Sequence, residues 1–86
     1  MKMNVDEIAR RLGFNRKFTL SLELFSDPVR FISLIASKYG EVLVVLPKSR
    51  EEIATKLKKE LFPNIEVLMS IDIEDKIEIW VHEAAA

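Results

Sequence analysis

Apolar residues in this chain change their spacing several times, and each change marks an element. Val5, Ile8, Ala9 and Leu12 recur at i, i+3, i+4 and i+7, the spacing of an amphipathic helix. Asn4 is placed to cap it with Glu7 three residues on, and Gly13 to stop it, so a short helix is expected over about residues 4–12. The period then falls to two. Phe18, Leu20, Leu22 and Leu24 alternate with Thr19, Ser21 and Glu23, which predicts a strand with one buried face. A first helix of the form DEIARRLGF also fits a helix-turn-helix domain, but the recognition helix would have to occupy this alternating stretch, and period two opposes it.

Ser26-Asp27-Pro28 opens the next helix: Ser26 or Asp27 as cap, Pro28 in the first turn where its missing N–H costs nothing. Val29, Ile32, Ile35, Ala36 and Tyr39 form its apolar stripe, widened by Phe31 and Leu34, and Gly40 ends it. Val42 to Leu46 is an unbroken apolar run, as in a strand buried on both faces, and a strand, a helix and an adjacent strand imply a right-handed βαβ unit. Ser49 and Glu52 have capping-box spacing before a third helix carrying Ile53, Leu57 and Leu61 on one face. Ile65, Val67, Met69, Ile71 and Ile73 alternate, as do Ile77, Ile79 and Val81, and Glu74-Asp75-Lys76 between them predicts a tight antiparallel hairpin. The expected architecture is a single α/β (α+β) domain, a two-layer sandwich: an N-terminal amphipathic helix over residues 1–16, then a β-α-β-α-β-β core over 17–83 with a mixed four-stranded sheet.

Parity sharpens this. One face of the sheet meets the two crossover helices; the other carries Leu43, Val45, Leu68 and Trp80, too apolar to be left in water. Either the N-terminal helix folds across it, or another chain covers it. On the second reading these four residues are the interface, and the protein is a partner-binding or self-associating module.

Composition narrows the chemistry. The chain has 86 residues, of which 49% are hydrophobic and 31% charged, enough for one compact core. Cysteine is absent, which removes disulfides, thiolate metal sites and cysteine nucleophiles. Glutamine is absent too, a bias resembling thermophile composition. No run approaches a membrane span, and MKMNVDEIARRLGF lacks the apolar stretch of a signal peptide, so a soluble cytoplasmic protein is expected. The formal charge of −1 is unevenly spread: +3 over residues 1–17, +1 over 18–63 and −5 over 64–86.

Arg10, Arg11, Arg16 and Lys17 form a basic cluster able to track phosphates, and Lys48, Arg50, Lys56, Lys58 and Lys59 a second. No aromatic residues interleave with them, so the stacking part of single-strand recognition is missing and solvated surface competes as an explanation. His82 is the one histidine, flanked by Val81 and Glu83 with no nucleophile legible nearby. Asp72, Glu74, Asp75 and Glu78 lack the glycine-bearing loop of a calcium site. No enzyme, metal or cofactor is expected.

The order β-α-β-α-β-β with Pro28 opening its first helix resembles the TusA/SirA family of small sulfur-carrier proteins. It is also similar in fold to the C-terminal domain of bacterial translation initiation factor three. In the sulfur carriers a Cys-Pro-x-Pro motif begins that helix and its cysteine carries persulfide sulfur. Here the stretch reads Asp27-Pro28-Val29-Arg30, so only Pro28 matches and the sulfur chemistry does not transfer. What the resemblance implies is a small-ligand site at the helix start, around Ser26 and Asp27.

Overall fold

The computed structural model describes residues 4–84. The element order is the expected one: α1 (Val5–Arg11), β1 (Arg16–Ser21), α2 (Pro28–Tyr39), β2 (Val42–Pro47), α3 (Glu51–Leu61), β3 (Ile65–Ser70) and β4 (Lys76–Val81). Three helices and a mixed four-stranded sheet make an α+β fold.

The sheet order, β1-β4-β2-β3, departs from the expected pairing in two respects. There is no β3–β4 hairpin: β3 lies parallel to β2, and residues 71–75 carry the chain across to β4, which is antiparallel to both β2 and β1. Nor are β1 and β2 neighbours, because β4 is inserted between them. The reason is burial. β2 is buried at all six positions, and β4 buries Ile77 and Ile79 on one face and Trp80 on the other. Strands apolar on both faces belong in the middle of a sheet. β1, with Arg16, Lys17 and Thr19 exposed, and β3, with Glu66 and Met69 exposed, take the edges.

The register sorts the side chains into two cores. Phe18, Ile79, Val44 and Val67 stand in one row across the sheet and face α2 and α3, where Ile32, Ile35, Ile53 and Leu57 meet them. The rows Lys17–Trp80–Leu43–Glu66 and Thr19–Glu78–Val45–Leu68 point to the opposite face. There Ala9 of α1 and Phe14 close over Leu43, Val45 and Trp80.

Local signals held in part. Asn4 caps α1, its side-chain oxygen accepting from the Glu7 N–H at 2.9 Å, and Asp27 caps α2 by accepting from the Arg30 N–H at 3.3 Å. The capping box does not form: Arg50 is the residue before α3, no side chain caps it, and Glu52 is engaged by the Arg50 guanidinium at 2.6 Å instead. β1 stops at Ser21, whose carbonyl accepts from the Leu24 and Phe25 N–H groups, so Leu22 to Leu24 turn rather than extend the strand. That turn leaves Leu24 outside the core, 81% exposed.

Candidate interaction surfaces

Of the two covers open to the second sheet face, the N-terminal segment or another chain, the structure has the first. Leu43 and Val45 are 1% exposed and Trp80 2%, so these three are not docking residues in this fold; Leu68, half-buried, remains at the rim. The cover is fastened at its C-terminal end. Gly13 turns the chain with φ 94°, Phe14 N–H donates to Ala9 O at 3.0 Å, and Asn15 N–H donates to Val81 O at 3.0 Å. The Asn15 side chain then exchanges two hydrogen bonds with the Glu83 backbone, at 2.7 and 2.9 Å.

His82 belongs to this clasp. Its ring stacks on Phe14 with centroids 4.1 Å apart. Its Nδ1 lies 2.9 Å from Gly13 O and its Nε2 3.4 Å from a Glu41 carboxylate oxygen; both partners only accept, so a hydrogen on Nδ1 donates to Gly13 O and one on Nε2 to Glu41. The contacts are those of a fastener. Trp80 Nε1 is buried with no partner among the described residues, while Lys17 sits over the indole ring at 5.5 Å.

The structure divides the N-terminal basic cluster. Arg10 and Arg11 are exposed in the last turn of α1, where positive charge suits the helix dipole. Arg16 is ion-paired with Glu83, and hydrogen bonding to that carboxylate holds its guanidinium above the ordinary arginine pKa. Lys17 reaches Glu78 at 3.9 Å. The four do not form one row of free cations. In the second cluster, Lys56 and Lys59 face Arg30 across a cleft between α2 and α3, with Asp27 and Glu60. Ser26 and Asp27 are exposed, and the Asp27 carboxylate is committed to capping α2. Among the described residues no three His, Asp or Glu side chains group as a metal site would, and no helix is long and apolar enough to cross a membrane.

Two surfaces emerge that sequence reasoning did not single out. One is a groove of about 460 Å³ between α1 and the C-terminal end of β3, lined by Asn4, Val5, Ile8, Leu68, Met69 and Ile71, with Lys48 and Asp72 at its polar parts. Ile71, assigned to a hairpin by its alternation, is 68% exposed here. The other lies along α2 beside the β1 edge, where Leu24 and Leu34 stand out of the surface. Comparison with protein-family models, with curated proteins and with solved structures gives no match in any of the three.

Proposed function

We propose that the protein is a non-catalytic interaction module that binds an extended segment of a partner protein along β3. The observation that carries this is the groove between α1 and the C-terminal end of β3: an apolar trough at the end of a strand whose outer side has no neighbouring strand among the described residues. Strand addition needs both parts. The edge supplies backbone hydrogen bonds, and a flanking pocket selects alternate side chains. Val5, Ile8 and Leu68 supply the apolar wall, so the N-terminal helix serves the interface by forming one side of it.

Ile71→Asp tests the reading, because Ile71 is exposed and its replacement leaves both cores intact. A partner co-purifying with the wild type should be lost with Ile71→Asp, and its binding should protect the amides of β3 from hydrogen exchange. Binding that ignores Ile71→Asp, or leaves β3 amides unprotected, refutes it.

A second reading, phosphate or nucleic-acid binding, is favoured by the cleft that brings Arg30, Lys56 and Lys59 together. Generic RNA titrated at rising salt tests it: binding must weaken steeply with salt and fall in Lys56→Glu. For small-ligand binding at Ser26 and Asp27 the exposed, cap-committed carboxylate offers little support.

A further inference from the structure

We infer that the α2 flank of the β1 edge is a second docking surface, shaped and charged for an acidic amphipathic helix of a partner protein. It lies on the opposite edge of the sheet from the β3 groove and uses none of that groove's residues.

The surface is a by-product of two local choices. The turn at Leu22–Leu24 ends β1 early and puts Leu24 into solvent. On α2, Phe31, Leu34, Ile35 and Lys38 follow at helical spacing; Ile35 is buried, Phe31 half-buried, and Leu34 is 64% exposed. Two shallow grooves meet at Phe31 and Leu34. The first, about 270 Å³, is bounded by Leu24, Phe25 and Arg30; the second, about 300 Å³, by Phe18, Ile35 and Tyr39. From Arg30 to Tyr39 the strip follows about 15 Å of helix, the length of nearly three turns of a docked helix.

Cations outnumber carboxylates along its lining. Arg30 stands at one end and Arg16 and Lys38 at the other, three cations against one lining carboxylate, Asp27, which sits beside Arg30 and caps α2. Arg16 is answered by Glu83, whereas Arg30 and Lys38 have no ion-pair partner among the described residues. Arg16 and Lys38 also lie over aromatic faces, 4.7 Å from the Phe18 centroid and 5.3 Å from that of Tyr39, so each cation borders an apolar floor. An occupant with leucine-like side chains at i, i+3, i+4 and i+7 fills the two grooves, and carboxylates on its flanks meet Arg30 and Lys38. A second copy docked symmetrically would instead oppose these cations to themselves. A bilayer surface has no projecting side chains to enter the grooves.

The test is fluorescence anisotropy with a labelled acidic peptide of about sixteen residues, leucine at those four spacings and glutamate elsewhere, titrated with the full chain. Binding is expected to weaken by about tenfold or more in Leu34→Asp and in Lys38→Glu, and on raising salt from about 50 to about 300 mM. Ile71→Asp should leave it unchanged, which separates this surface from the β3 groove. Both flank residues are exposed, and unchanged urea midpoints for their variants confirm that the fold is kept. Four outcomes overturn the proposal: no binding at about 1 mM protein; equal binding of a lysine-for-glutamate peptide; equal binding by Leu34→Asp; or Leu34-dependent attachment to phosphatidylserine vesicles in place of the peptide.

Discussion

Replacing Phe14 with alanine asks whether the N-terminal segment is structural cover or a detachable arm. Phe14 is 1% exposed, packed with Ala9, Leu43, Val45 and Trp80 and stacked on His82. Truncating a buried phenylalanine costs about 3–5 kcal/mol, through lost transfer energy and the cavity left behind. A chain of 86 residues has a total stability of about 4–13 kcal/mol at ordinary per-residue values. Phe14→Ala should therefore remove about a quarter or more of the stability and lower the melting temperature by about 12–40 °C. Trp80 is the one tryptophan and lies in the same cluster, so its fluorescence reads this face directly. Urea unfolding followed by Trp80 emission should give a lower midpoint for the variant. Ala9→Glu is the second arm: Ala9 has no exposure, and a glutamate there forces α1 off the sheet. Trp80 emission should then shift to longer wavelength, and the bared Leu43 and Val45 should drive self-association in sedimentation. A loss below about 1 kcal/mol in Phe14→Ala, or solvent-like Trp80 emission in the wild type, would refute the reading and return the face to the list of docking surfaces.

Removing the His82 ring takes away the stack on Phe14 and the donor to Gly13 O; His82→Ala should destabilise by about 1–2 kcal/mol in urea unfolding, and no change would show that the clasp is not closed. Glu52 is held below the ordinary glutamate pKa by its hydrogen bond from Arg50, so the pair's contribution is present above the unfolded glutamate pKa and lost as pH falls through the lower folded value. An NMR titration should place the Glu52 carboxyl below the ordinary glutamate value in the wild type, and nearer that value in Arg50→Ala.

Elements were legible where one signal had no competitor. Asn4 and Asp27 cap helices, Gly40 ends α2, and the two-sided apolar run of β2 marks a central strand, because each reflects chemistry within a few residues. Strand order was not legible. Met69, Ile71 and Ile73 continue the alternation of β3, so the segment reads as a longer strand turning at Glu74, yet the chain leaves the sheet after Ser70 and crosses to the far side of β2. The clue was Trp80, which makes β4 apolar on its second face too and so unfit for an edge. The interface residues failed for a related reason: parity places Leu43, Val45 and Trp80 together, but cannot decide between cover by α1 and cover by another chain. Gly13 and His82 decide it, by tying the end of α1 to the end of β4.

Closing both faces moves any docking to the edges, and the two edges are guarded differently. Natural sheets blunt an edge with charge to prevent unwanted pairing. β1 begins with Arg16 and Lys17, each paired to a glutamate near or on β4, so its start is crowded with polar side chains. β3 carries one charged residue, Glu66, near its beginning; Val67 to Ser70 follow without another, beside the α1 groove. An edge left unguarded next to an apolar trough is an aggregation hazard unless a partner fills it. That asymmetry is the physical argument for strand addition at β3, and for a side-chain contact, with no strand pairing required, on the α2 flank of β1.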